Sequence, residues 1–139
     1  MSGNIYHEDI KALANIPVAE QKLEQPDCKV TLDNPLCGDR VTVALNLKDG
    51  CVIALTHQVK GCLLCRASAN AIAQAVVGAS ATDLEMVVDG LQHMLKGEQV
   101  ENWPVPGWES LALFQPVAAY KSRHDCVLLP FKAIMQALS

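Results

Sequence analysis

The chain has 139 residues, half of them apolar, and a net charge of −4 from 11 basic and 15 acidic residues. That length fits one domain over 1–139 with a buried core, and the apolar share disfavours disorder. No Lys/Arg-rich run marks a nucleic-acid surface, no apolar run reaches membrane-spanning length, and Met1–Ile10 is polar where an export signal would be apolar, so the expectation is a cytoplasmic protein whose partners are neither nucleic acid nor membrane.

Ile5 to Ala14 predicts a short helix, with Ile10, Leu13 and Ala14 at helical spacing. Pro17 and Pro26 break the linker that completes segment 1–27. Cys28, Val30 and Leu32 alternate with Lys29, Thr31 and Asp33, a strand with one buried face. Asn34-Pro35 forces a turn, because a residue before proline avoids the helical region. Val41, Val43, Leu45 and Leu47 alternate in a second strand, and Cys51, Ile53, Leu55, His57 and Val59 share a face of a third. A two-residue loop between them sets Leu47 opposite Val52 and mismatches the apolar faces. A three-residue loop, Lys48-Asp49-Gly50, sets Leu47 opposite Cys51, Leu45 opposite Ile53 and Val43 opposite Leu55, with Gly50 left-handed. The second register is the expected one.

After Gly61-Cys62 the period becomes helical. Arg66 to Val77 predicts an Ala-rich helix stopped by Gly78. Thr82-Asp83-Leu84-Glu85 fits a capping box opening a second helix, with Leu84, Val87, Val88, Leu91 and Leu95 as its buried stripe and Gly97 as its end. Residues 98–109 form a Pro-rich loop. Ser110 to Ala119 predicts a helix disturbed by Pro116, and Leu129 to Leu138 a last helix with Pro130 in its first turn. Strands first and helices after predict an α+β domain, a small three-stranded antiparallel sheet packed against about five helices.

Six cysteines carry the chemistry: Cys28, Cys37, Cys51, Cys62, Cys65 and Cys126. A reduced protein with an aliphatic core needs no disulfide staples, which leaves metal ligand, reactive thiol or core residue. Cys37 lies in the tight turn between two strands, Cys62 follows the last strand, and Cys126 precedes the last helix. Thiols near helix N-termini favour the thiolate, which is both nucleophile and metal ligand. Gly38 and Gly61 would let backbone approach such a site closely. Three thiolates and the Asp39 carboxylate make four ligands suited to Zn²⁺ or an iron–sulfur cluster, although their separations match no compact zinc-finger spacing. Cys62-Leu63-Leu64-Cys65, between a strand and a helix, also fits a dithiol oxidoreductase, a reading that leaves Cys37 and Cys126 unexplained. Cys65 itself is open among a fifth ligand, a resolving thiol and a small packing residue. Cys28 and Cys51 read as core, His57 as a satisfied structural histidine, His7 and His93 as solvated, and Trp103 and Trp108 as local packing.

Asn34-Pro35-Leu36-Cys37-Gly38-Asp39-Arg40, then Gly61-Cys62 with Ser68-Ala69 following, then Cys126, resembles the NifU/IscU-type iron–sulfur cluster assembly family over about Tyr6 to Leu138. The long interval between Cys62 and Cys126 is similar to the SufU branch, which carries an insertion there that here includes 98–109. Val117, Arg123, Cys126, Leu129, Lys132 and Ala133 match that branch as well. The resemblance implies a SufU/IscU-like fold with Cys37, Asp39, Cys62 and Cys126 clustered at one end. It implies a protein that accepts sulfur from a cysteine desulfurase, holds a transient [2Fe–2S] cluster and passes it to apo iron–sulfur proteins, with no turnover chemistry on a small substrate. The SufU alternative is a zinc-dependent sulfur relay at the same four residues. The sulfur acceptor is then Cys62 or Cys126, with Cys126 favoured for scaffold chemistry. A further alternative keeps the fold with a structural zinc only.

The departures are specific. Ala14-Asn15-Ile16-Pro17 matches the family's N-terminal pattern poorly, and Ala119-Tyr120-Lys121-Ser122-Arg123 stands where the IscU branch has its chaperone-binding Leu-Pro-Pro-Val-Lys. Asp125 replaces the histidine that IscU-type members have before the last cysteine. In an extended segment residues i and i+2 share a side, which would leave His124 within reach of a metal beside Cys126 as a candidate further ligand. Arg123 reads as site support, orienting Cys126 or meeting a substrate carboxylate, and equally as a surface charge.

Overall fold

A computed structural model describes residues 8–16, 23–36, 38–98, 100, 103 and 105–138. Strands β1 (Cys28–Asn34), β2 (Asp39–Lys48) and β3 (Cys51–Lys60) form an antiparallel sheet in the order β1-β2-β3. Val30 pairs with Val43, and Asn34 pairs with Asp39 where the first hairpin closes. Val41, Val43 and Leu45 are buried on one face, while Thr31 and Thr42 share a hydrogen bond on the other.

The second hairpin corrects the expected register. Asp49 and Gly50 both have positive φ, 53° and 79°, so the turn has two residues of the kind that matches strand twist. Lys48 pairs with Cys51 and Leu47 with Val52. The face mismatch this causes is absorbed by a bulge: Asn46 pairs with Ala54, leaving Ile53 as the extra, exposed residue. Beyond it Leu45 faces Leu55, Val43 faces His57 and Val41 faces Val59. Val52 is held from a distant segment, donating to the Ala79 carbonyl at 2.9 Å and accepting from Gly78 at 2.8 Å. Those bonds turn Val52 into the core in place of Cys51 and Ile53.

Four α-helices follow the expected order with shifted starts. Helix α1 runs Glu8–Ala14, the rest of its expected span lying outside the described residues. Helix α2 runs Leu63–Ala75, three residues earlier than expected, with Cys62 as N-cap. Helix α3 runs Ala81–Leu95, and its capping box is Ser80 with Asp83, not one opening at Thr82. Ser80 Oγ accepts the Asp83 amide, and Asp83 Oδ2 accepts the Ser80 amide. Leu84, Val87, Leu91, Met94 and Leu95 are its buried stripe, with Val88 half-buried.

The segment Glu109–Ala119 is a 3₁₀ helix, not the disturbed α-helix expected. Leu111, Phe114 and Val117, spaced by three, are its buried residues, as a three-residue turn requires. A further 3₁₀ turn, Lys121–Arg123, leads into helix α4, His124–Leu138. Helix α4 starts five residues before its expected start, and Pro130 lies in its interior. An interior proline costs about 3 kcal/mol. Here the helix continues because Cys126, Val127, Leu129, Phe131, Ala133, Ile134 and Ala137 bury a continuous face. Helices α2 and α4 pack on each other and on the sheet. Trp108 lies against Phe131, ring centres 6.0 Å apart, and Trp103 packs over Gly90. Among the described residues no helix is long and apolar enough to cross a membrane.

Candidate metal centre

Three chain reversals meet at one end of the sheet. Asp39 opens β2, Cys62 caps α2, and Cys126 stands in the first turn of α4. The Asp39 carboxylate and the thiols of Cys62 and Cys126 each offer a ligand atom within 4.8 Å of the others. Zn–S bonds of about 2.3 Å put ligand atoms on a tetrahedral zinc roughly 4 Å apart, so small adjustments bring these three onto one ion. Both helices present their N-termini here, where partial positive charge favours anionic sulfur.

Asp39 is the anchor. It is 1% exposed, and its Oδ1 accepts the Cys62 amide at 2.9 Å while Oδ2 lies 3.8 Å from the Cys62 thiol. No ion pair found among the described residues involves it. A buried carboxylate is ordinarily paired or metal-bound, so this environment fits a cation. Gly61 makes the arrangement possible: a Cβ there would stand 2.3 Å from Asp39 Oδ1. Gly38 serves differently, with φ +73° in the turn and open space around it.

Cys37 lies outside the described residues, between Leu36 and Gly38. Its flanks are ordered by Asn34, whose side-chain oxygen accepts the Leu36 amide at 3.2 Å and whose carbonyl accepts the Gly38 amide at 2.8 Å. The Asn34 side chain is buried, and its Nδ2 has no hydrogen-bond partner among the described residues.

His124 is not part of the grouping. It is the first residue of α4, so the extended geometry expected for it and Cys126 does not exist. Its Nε2 lies 3.1 Å from the Val117 carbonyl and 3.2 Å from that of Ala118. Arg123 sits half-buried in the turn that leads into α4. Cys65 is fully buried one turn into α2 and lies outside the three-ligand grouping. Cys28 is half-buried against the core, and Cys51 is half-buried at the hairpin, bridging to Ser80.

Sequence reasoning gave Ser68 no physical role. Its buried hydroxyl donates to the Val127 carbonyl at 2.6 Å, tying α2 to α4 one residue from Cys126. The available signal was a polar residue inside an otherwise Ala-rich helix. His57 has buried ring nitrogens, with the Asn70 side chain as the polar group that acts on them. Burial holds its pKa below the ordinary value, partly offset by the Asn70 amide.

An α+β scaffold presenting a carboxylate and thiols at two helix N-termini is the architecture of a metal- or sulfur-handling protein. The family model for the NifU-like N terminal domain matches residues 5–127, and the chain belongs to that family. It is similar to the crystal structure of a nitrogen-fixing NifU-like protein (N-terminal) from Brucella abortus, 35% identical, covering 96% of this chain and 92% of that one with a TM-score of 0.88. It is 25% identical to the iron-sulfur cluster assembly scaffold protein IscU of Thermotoga maritima, over 96% of this chain and 92% of that protein. It is 24% identical to the zinc-dependent sulfurtransferase SufU of Bacillus subtilis, over 79% of this chain and 74% of that protein.

Proposed function

We propose that this protein is an iron–sulfur cluster assembly scaffold that accepts sulfur from a cysteine desulfurase, holds a transient [2Fe–2S] cluster and delivers it to apoproteins. The observation that carries this reading is the convergence of Asp39, Cys62 and Cys126 at two helix N-termini. Its family and the scaffold name of the Thermotoga relative support it. Cys37, Cys62 and Cys126 supply the soft thiolates that iron–sulfur cargo needs, and Asp39 supplies one harder oxygen ligand. A carboxylate in place of a fourth thiolate keeps the cargo labile.

Sulfur arrives by exchange. A thiolate here attacks the terminal sulfur of the desulfurase's cysteine persulfide. A new S–S bond forms on this chain, the desulfurase S–S bond breaks, and the desulfurase thiolate leaves. Access favours Cys62 over Cys126 as the entry point, because Cys126 is fully buried and Cys62 half-buried.

A zinc-dependent sulfur relay is the second reading, favoured by the likeness to the Bacillus SufU. Asp39, Cys62 and Cys126, with Cys37, suit Zn²⁺, which would supply Lewis-acid stabilisation of the thiolates. Anaerobic reconstitution with iron, cysteine and a desulfurase tests both. The scaffold gives visible absorbance with iron and matching acid-labile sulfide, lost in Cys62→Ser and transferred more slowly from Asp39→Ala. A colourless, sulfide-free protein under every condition overturns it. Stoichiometric zinc without sulfide, together with stimulation of the desulfurase, selects the relay.

A further inference from the structure

Cys65 has no role in the reading above, yet its placement relative to Cys62 is specific. Cys62 is the N-cap of α2, with extended backbone at φ −71° and ψ 168°, and Cys65 is the third residue of the helix. An N-cap side chain folds back over the first turn toward that third residue, which is how capping hydroxyls reach its amide. The Cys62 thiol makes no cap hydrogen bond and lies 3.8 Å from Asp39 Oδ2, so it must turn from Asp39 toward the third residue to meet Cys65. Cys62 is half-buried and Cys65 is 0% exposed, so Cys62 is the thiol of the pair that a sulfur donor reaches. Residues three apart on a helix are neighbours, within the Cα separation of about 4.4–6.8 Å that a disulfide spans. Leu64 is also 0% exposed, which anchors the short segment between the two thiols in the core.

Cluster assembly needs sulfide, whereas a persulfide delivers sulfur two electrons more oxidised. We propose that Cys65 is the resolving thiol that reduces the sulfur accepted by Cys62. The inference rests on Cys62 being the sulfur acceptor. The Cys65 sulfur attacks Cys62 Sγ, and its thiol proton is released. The bond between Cys62 Sγ and the sulfane sulfur breaks, and the Cys62–Cys65 disulfide forms. The electron pair leaves with the sulfane sulfur as hydrosulfide. The two cysteine sulfurs lose one electron each and the sulfane sulfur gains two, so no outside reductant enters this step. A thiol or dithiol reductant then reopens the disulfide before the next turn.

The test uses the full chain, charged anaerobically by a persulfide-loaded cysteine desulfurase from which free cysteine has been removed, with no added thiol. Cys62 and Cys65 share one tryptic peptide, Gly61 to Arg66, bounded by Lys60 and Arg66. The wild-type protein is expected to release free sulfide and to yield that peptide lighter by two hydrogens. In Cys65→Ala the sulfide release is lost, and the peptide stays heavier by one sulfur. Cys65→Val, which refills the buried volume, gives the same result, and an unchanged cooperative melt shows that each variant is folded. Retained persulfide in the wild type, or undiminished sulfide release from Cys65→Ala, overturns the role of Cys65 alone. Failure of any sulfur to reach Cys62 in either protein overturns the acceptor assignment as well.

Discussion

At the scale of single residues, the site depends on a missing side chain. A Cβ at Gly61 meets Asp39 Oδ1 at 2.3 Å, so Gly61→Ala must push the carboxylate away from the Cys62 amide and thiol. The expected result is a loss of about 1–3 kcal/mol in urea unfolding, as for other overpacked sites, together with weaker zinc or iron binding by equilibrium titration. Unchanged metal affinity would show that Asp39 is not a ligand. His57, on β3 beside Asn70 of α2, gives the fold a pH signature. Its pKa is lowered from 6.5 by burial, so the unfolded chain binds the proton more readily. Its contribution is therefore fully present above pH 6.5 and is lost as pH falls toward the lowered folded value. His93 acts in the other sense, its pKa raised by the hydrogen bond it donates to Glu98, then by the charges of Glu98 and Asp89, but it is exposed and screened. Denaturant melts from pH 8 to pH 5 should show stability falling with acid, and His57→Leu should flatten that fall.

At the scale of elements, two serines do different work. Ser80 caps α3, away from the metal centre, and Ser80→Ala is expected to cost about 1 kcal/mol while metal binding stays intact. Ser68 joins α2 to α4 beside Cys126 through the Val127 carbonyl. Ser68→Ala is expected to cost a similar amount, about 1 kcal/mol, and in addition to weaken metal binding, because both helix N-termini carry candidate ligands. Equal metal affinity in the two variants would mean that the α2–α4 bond does not set the site's geometry. The 3₁₀ run belongs to this scale too. Its buried residues recur every three positions, Leu111, Phe114 and Val117, a spacing visible in the sequence beside the more conspicuous Pro116.

At the scale of the whole molecule, α1 is held onto the body by its own unsatisfied end. Asn70 Nδ2 donates to the carbonyls of Leu13 and Ala14 at 2.8 and 3.2 Å, and Arg66 donates to the Asn15 side-chain oxygen at 3.1 Å. The two Asn70 bonds satisfy the last carbonyls of a seven-residue helix too short to persist alone. Asn70→Leu should therefore cost about 1–3 kcal/mol by leaving buried acceptors unmet, and amide exchange should accelerate over Ile10 to Ala14 before the sheet. Exchange that stays as slow in α1 as in β2 would place the anchoring of α1 in its apolar contacts instead. Because Arg66 and Asn70 sit on the helix that Cys62 caps, α1 docking and the metal centre share one support.

The sequence by itself determined the alternating strands, the buried stripe of α3, the left-handed Gly50 and the strand-then-helix order, because each is a local periodicity or a local backbone demand. Family resemblance, not spacing, pointed to Cys37, Asp39, Cys62 and Cys126 as a set; Asp39, Cys62 and Cys126 come together, and Cys37 lies outside the described residues. Tertiary structure alone decided the rest. The bulge at Ile53 exists because Val52 bonds to Gly78 and Ala79, residues far along the chain. Helix α4 runs through Pro130 because the apolar face it buries outweighs the proline's cost, which carried Cys126 into a helical turn and removed His124 from its side. A one-residue change of register or a helix start moved by one turn redirects every side chain beyond it. Those choices are settled by the summed burial of the whole core, which no local window of sequence contains.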